Sequence, residues 1–312
     1  MGERMLIQRV IQAKPHRSCS SKKLTIALSS ITLRYMLMTF GLFLMTFPFL
    51  WALSVGISKD PSSVVRLTDA AFSIGEGNVG AIFAALWPQE LTLHWFERAF
   101  SDLPFLSYLT NSAILTSNTV FFTLVLSIPA AFAFAQMEFY GRNALFVVLL
   151  ATIMIPSEVN IVPNYLTLGS MKLLNTYTAA VLPNIASALG VFLLKQYFEQ
   201  LPKEVFDAAR VDGATEWQLL WHIAIPQSYP AITALAIMTM VLAWNDYLWP
   251  AIILKEASQH PVTVGLFNIL TGPLSSMSNL ILAATVLGII PVLLCLAAGQ
   301  RFFLGGMQTD PS

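Results

Sequence analysis

Six stretches of this chain run almost without charge, and each is rich in Leu, Ile, Val, Phe and Ala. Tyr35–Ser58, Leu103–Met137, Leu173–Leu194, Trp217–Asn245 and Ala257–Gln300 contain no Asp, Glu, Lys or Arg, and Asn143–Met171 contains only Glu158. A helix needs about 20 apolar residues to cross a hydrocarbon layer of roughly 30 Å. Trimmed at prolines and polar clusters, the runs predict six spans near 35–56, 108–134, 143–162, 177–196, 231–254 and 278–300. They are predicted as helices, because lipid offers no partner to an unpaired backbone amide. Membrane-spanning strands would show short alternating segments instead, and none is present.

Composition supports the pattern. Of 312 residues, 56% are hydrophobic and 11% charged, against roughly 25% charged in a soluble domain. A water-facing surface for a fold of this size is therefore excluded, and a mean hydropathy of +0.67 excludes a disordered chain. Seventeen basic residues balance seventeen acidic ones, so no basic field exists to hold nucleic acid. The expected environment is the lipid bilayer of a cell (inner) membrane, crossed several times. Cys19 in the basic arm and Cys295 in the sixth span are the two cysteines, and no disulfide between them is expected.

The few charges orient the chain. Residues 1–34 form a basic arm holding Arg4, Arg9, Lys14, Arg17, Lys22, Lys23 and Arg34 against Glu3. Positive-inside bias places this arm in the cytoplasm, and six crossings return the C-terminus there. The first span, 35–56, is too long and begins too late to be a cleaved signal segment. An external loop, 57–107, follows it with six acids and scattered aromatic residues. Residues 108–305 form a five-helix core, and 306–312 a short tail.

One inner connection carries the most information. Residues 201–230 read as a helical hairpin. Pro202 suits a helix start, and Gly213 suits the left-handed residue that ends the first helix. Thr215 with Gln218 three positions on is a capping box that begins the second helix. Trp217, Leu220 and Trp221 are expected to share one face of it. Five of the seventeen acids fall between Glu199 and Glu216. Such an acidic knob fits poorly against an anionic leaflet and better against a protein partner.

At these residues the chain resembles the permease subunits of binding-protein-dependent ABC importers. Their hallmark loop, Glu-Ala-Ala, then Gly, then Ile-x-Leu-Pro, stands here as Asp207-Ala208-Ala209, Gly213 and Ile223-Ala224-Ile225-Pro226. Asp207 replaces the usual Glu, and Ile225 the usual Leu. Further similarity lies in Gly141-Arg142, Met154-Ile155-Pro156, Leu174-Asn175-Thr176-Tyr177, Trp244-Asn245-Asp246-Tyr247 and Thr263-Val264-Gly265-Leu266. It covers roughly residues 105–305 and is greatest with the carbohydrate-uptake branch, on the side of the shorter membrane subunit of the maltose transporter. The resemblance implies an all-α fold of the type I importer permease, a second homologous permease subunit, two ATP-binding subunits and an external solute-binding protein. It also implies that the hairpin couples to the ATPases through Asp207, Ala208, Ala209, Asp212, Gly213, Ala214, Trp217, Leu220, Ile223 and Pro226.

No catalytic motif accompanies these features. The chain has no Gly-Lys pair, so it lacks a phosphate-cradling loop, and it has no zinc or nucleophile signature. ATP and magnesium are expected on the partner subunits, with no cofactor and no metal site on this chain. Candidates for the solute path are the polar residues of the spans: Asn111, Ser112, Asn118, Asn184, Asn245 and Asp246. Hydroxyl-rich solutes need hydrogen-bond partners there, although such residues also serve as glue between helices. An ion-driven transporter would need embedded ionisable groups; only Glu158 and Asp246 come near, both close to span ends.

Overall fold

The computed structural model describes residues 20–61, 63–73, 87–88 and 90–306. The start of the basic arm with Cys19, the middle of the external loop and the end of the tail lie outside the described residues. The chain divides into two units, Met1–Trp51 and Ala52–Ser312. Among the described residues all regular structure is helical, apart from one antiparallel bridge between Ser58 and Leu91.

The first unit holds most of α1, Ser20–Gly56, whose Leu33–Gly56 portion is long and apolar enough to cross a bilayer. Among the described residues, the second unit holds the remaining α-helices of four or more residues. They are α2 (Ser63–Ser73), α3 (His94–Ser101), α4 (Phe105–Gln136), α5 (Arg142–Ile153) and α6 (Ile161–Ser170). Next come α7 (Tyr177–Val181), α8 (Ala188–Phe198), α9 (Lys203–Val211) and α10 (Glu216–Leu219). The last four are α11 (Tyr229–Asn245), α12 (Leu248–Ile253), α13 (Val262–Thr271) and α14 (Ser278–Gly306). Among the described residues three helices meet the length and hydropathy of a span outright, and the number rises to six when three bent pairs each count as one.

The bends are the main correction to the sequence expectation. The third span is not one helix over 143–162. It breaks after Ile153, turns by 93°, and runs on to Ser170. Pro156 explains the break, because it lacks an amide hydrogen and pushes the residue before it out of helical geometry. The fourth span bends by 47° between Asn184 and Ala188. Thr176 caps its first half by accepting the Ala179 amide at 3.2 Å, and Pro183 lies in the single 3-10 turn that ends it. Ser187 then starts α8 by accepting the Gly190 amide at 2.9 Å. The fifth span does not continue to 254. It stops at Asn245; Asp246 is extended, and α12 begins two residues later.

The bundle is organised around α4, which packs against α8 and α11. One face of it is small and polar: Ser112, Thr116, Thr119, Thr123 and Ser127 are all buried, at the spacing of a single helical stripe. Small residues let neighbouring helices approach closely. Gly190 of α8 shows this, since a Cβ there would lie 3.1 Å from both Ser127 Oγ and Leu235 Cδ1. Farther along, α13 crosses α4 at Gly265, and a Cβ there would collide with the Tyr108 ring. Asn279, fully buried at the start of α14, donates to the carbonyls of Val55, Ser58 and Asp60 at 2.9–3.1 Å. It thereby adds a donor to carbonyls at and just beyond the end of α1.

Gly265→Ala is expected to destabilise the purified protein by about 1–3 kcal/mol, the usual cost of overpacking. Gly169→Ala, whose new methyl would meet Leu174 at an ordinary 3.6 Å, should be neutral or stabilising. Thermal unfolding of both variants in the same detergent checks the difference.

Candidate functional site

The hairpin is built as its sequence predicts, up to a point. Helix α9 ends at Val211, and Gly213 takes φ +85°. The Ala214 amide then reaches back to the Ala209 carbonyl at 2.9 Å, closing the helix end through the left-handed residue. Both halves of the capping box form between Thr215 and Gln218. A Cβ on Gly213 would meet nothing within 4 Å, so glycine is required here for the sign of φ and not for space.

The face assignment on the second helix is corrected. Leu219, Leu220 and Ala224 are the buried residues, while Trp217 and Trp221 are 63% and 60% exposed. A single π-helical turn spans Leu220–Ala224, with the Ile225 amide bonded to the Leu220 carbonyl. The widened turn immediately precedes Pro226, whose ring would crowd the carbonyl four residues back in a regular helix. The side chains therefore divide differently from a pure 3.6-residue repeat, and the two tryptophans are left outward.

Two contacts hold the hairpin against the bundle. Phe206 is fully buried and meets Phe132 of α4 and tilts over it at 6.3 Å, while Phe132 stands edge-on to Phe198 of α8. Arg210 is the polar anchor. Its Nε and Nη2 donate to the two carboxylate oxygens of Glu216 at 3.0 and 3.3 Å, and Nη2 also donates to the Gln136 carbonyl at 3.1 Å. Nη1 donates to Asp207 at 3.3 Å. The hydrogen bonds to Glu216, opposed by partial burial, hold the guanidinium pKa above its ordinary value. Sequence reasoning assigned Arg210 no part in the site. Its signal was the pair of acids three residues before and six residues after it.

The residues expected to couple thus fall into two sets. Ala209, Ala214, Leu220 and Ile223 pack on the bundle. Asp207, Ala208, Asp212, Gly213, Trp217 and Pro226 are exposed. A hollow of about 420 Å³ lies along the turn, lined by Asp212, Gly213, Ala214, Gln218 and neighbours.

A second feature lies where the helices break. A cleft of about 520 Å³ is lined by Ser157, Glu158 and Asn160 from the first break, Asn184 and Ser187 from the second, and Asp246 and Leu248 from the third. Thr119 and Thr123 of α4, Asn164 of α6 and Thr239 of α11 complete its polar wall. Unpaired backbone groups are tolerated at membrane depth only where they line such a cavity or are buried in protein.

Of the six candidates for the solute path, the structure brings Asn184 and Asp246 into this cleft. Asn111 and Ser112 do other work. Asn111 donates to the carbonyls of Ser258 and His260 and accepts from the Tyr177 hydroxyl at 2.8 Å. Ser112 accepts the Val262 amide. Asn118 and Asn245 bond back to carbonyls of their own helices, and both are exposed outside the cleft. The sequence pattern missed Thr119, Thr123, Asn160 and Asn164; the prolines of the breaks were the available signal. Asn175 was also missed. At φ +60° it accepts the Lys255 amide and donates to Glu256, tying the loop before α7 to the end of α12.

With this geometry in place, comparison with known proteins is informative. Residues 124–307 match the model of the binding-protein-dependent transport system inner membrane component family. The arabinooligosaccharides transport system permease protein AraQ of Halalkalibacterium halodurans is 34% identical over 221 residues, covering 70% of this chain and 79% of that one. The sn-glycerol-3-phosphate transport system permease protein UgpE of Yersinia pestis is 31% identical over 275 residues, covering 88% and 94%. In fold, the chain is similar to one from the crystal structure of a bacterial ABC transporter involved in the import of the acidic polysaccharide alginate. That match has a TM-score of 0.74 at 22% identity and covers 93% of this chain and 99% of the other. A multi-pass helical chain with an acidic, glycine-turned hairpin and this match over more than half its length belongs to the family of inner membrane components of binding-protein-dependent transport systems.

Proposed function

We propose that this permease works as one of two homologous membrane subunits of an ATP-driven importer for a sugar or related solute. Two ATP-binding subunits would supply hydrolysis, with ATP and magnesium bound on them, and an external solute-binding protein would deliver the solute. The arm, the hairpin and the C-terminus lie on the cytoplasmic side in this reading, in keeping with the basic residues of the arm. The hairpin is then the contact with the ATPases, and the cleft is this subunit's share of the path.

The hairpin carries the reading. It is clamped to the end of α4 by Arg210 and Phe206, yet it leaves Asp207, Asp212 and Trp217 exposed. A rigidly held element with an uncovered, charged and aromatic tip is suited to transmit displacement from a docked partner. Domain closure on nucleotide would move it as a body and bias the bundle between two arrangements. The relatives are named for different solutes, arabinooligosaccharides for one and sn-glycerol-3-phosphate for the other. They support a small hydroxylated solute.

Two substitutions test this. Gly213→Val forces a β-branched residue into positive φ, at a cost of about 1–3 kcal/mol. ATP-driven uptake should fall to background while the protein still inserts. Gly213→Asn, which tolerates that φ, should retain uptake; equal uptake by all three forms would remove the coupling role. Arg210→Met leaves Glu216 unpaired and frees the hairpin from the Gln136 carbonyl. Amides of 203–219 should exchange with deuterium about tenfold faster, with those of α4 unchanged in mass-spectrometric exchange measurements.

A further inference from the structure

The cleft has a definite electrostatic character. Its charged lining residues, among those described, are Glu158 and Asp246, and no Lys, Arg or His lines it. Neither acid forms an ion pair among the described residues; the polar contacts found for Glu158 and the Asp246 carboxylate are within the chain's own turns. Ser157 Oγ donates to Glu158 at 3.2 Å, and the Trp249 amide donates to Asp246 Oδ1 at 3.4 Å.

The helix starts at the cleft are not arranged to receive an anion. Helix starts attract anions through their free amides and dipole. At the start of α8, however, Ser187 Oγ takes the Gly190 amide. At the start of α12, Asp246 takes the Trp249 amide. Before α6 the preceding turn carries Glu158 itself. Each helix start at the cleft thus presents an acceptor or a negative charge.

What the cleft does offer is neutral hydrogen-bonding capacity. Asn160, Asn164 and Asn184 bring side-chain amides, each a donor and an acceptor in one group. Thr123 adds a hydroxyl that is 1% exposed and has no hydrogen-bond partner among the described residues. A buried, unpartnered hydroxyl is costly unless a ligand or water completes it.

From this arrangement, and resting on the importer reading above, we infer that the cleft is a subsite for uncharged polyhydroxylated solutes and rejects anionic ones, with Glu158 and Asp246 setting the preference. Sugar hydroxyls donate to the carboxylates in charge-assisted bonds. A phosphate or uronate meets two like charges at one cleft, and that repulsion disfavours it against a neutral solute.

The test uses the complete importer in proteoliposomes, with Cys19 and Cys295 replaced by Ser and a reporter thiol at Ala243→Cys in the cleft wall. Leu189→Cys serves as a second reporter. Thiol labelling is compared for cationic ethyltrimethylammonium and anionic ethylsulfonate methanethiosulfonates, each scaled to its rate with a free thiol. The cationic reagent should be favoured about tenfold, and Glu158→Gln or Asp246→Asn should each reduce that preference about threefold. Equal rates, or a preference untouched by either neutralisation, would overturn the inference.

In the second arm, maltotriose or arabinotriose should slow labelling by neutral N-ethylmaleimide, while glycerol 3-phosphate and trigalacturonate should not. Protection by the anions, by spermidine alone, or by none of the probes would also overturn it. ATP-driven uptake in the same vesicles is scored separately. Uptake with failed labelling arms sinks only the charge preference, whereas no ATP-driven uptake of any solute sinks the importer reading.

Discussion

A backbone amide in hydrocarbon has no partner except the carbonyl one turn back along its own helix. Everything in the second unit follows from where this chain obeys that constraint and where it breaks it. Helices α4 and α14 obey it over their described lengths. The breaks at Pro156, between Asn184 and Ala188, and at Asp246 interrupt that ladder, and all three meet at one cleft. At two of the breaks a side chain caps the restart: Ser187 accepts the Gly190 amide and Asp246 the Trp249 amide. Both of these capping residues also line the cleft and contribute acceptors to it.

The same economy appears on α4. Its buried stripe of Ser and Thr costs hydroxyl desolvation but lets α8 pass at Gly190 closely enough to touch Ser127. Bulkier apolar residues would fill the space and move the helices apart. At Thr119 the hydroxyl bonds to its own helix, to the Leu115 carbonyl at 2.9 Å. At Thr116, Thr123 and Ser127 it has no partner among the described residues, and Thr119 and Thr123 both lie on the cleft. One seam thus serves packing along most of its length and opens into the site at its middle.

Much of this was legible in the sequence, for reasons that differ by element. Hydropathy found the spans because the bilayer imposes a length and an apolar composition, and local chemistry found the hairpin because Gly213, Thr215 and Gln218 act through neighbours in the chain. What remained hidden depends on contacts across the chain. Trp217 and Leu220 looked like one face because periodicity assumes a regular helix, and the π-helical turn before Pro226 changes the repeat. Asn111 looked like a path residue, yet its partners are 147 and 149 positions away. The fifth span looked continuous to 254 because hydropathy does not register one extended residue at Asp246. Arg210 binds a carbonyl 74 positions away, which no local pattern records.

That last contact bears on how the two sites relate. Gln136 closes the far end of α4, and Thr123 sits on the same helix thirteen residues earlier, a distance of about 20 Å along the axis. Gln136 is held from both sides: its side chain donates to the Phe198 carbonyl of α8 at 2.7 Å, while its own carbonyl accepts from Arg210. The hairpin is thus fixed to the ends of two helices, α4 and α8, whose other portions line the cleft. Rigid elements with two packing arrangements carry coupling more readily than flexible ones. Displacing the hairpin would therefore pull on Thr119, Thr123 and the Ser187 restart together, without an intervening loop. A break in α4 between the two sites would have decoupled them; Pro129 lies in that interval, but the helix continues through it to Gln136.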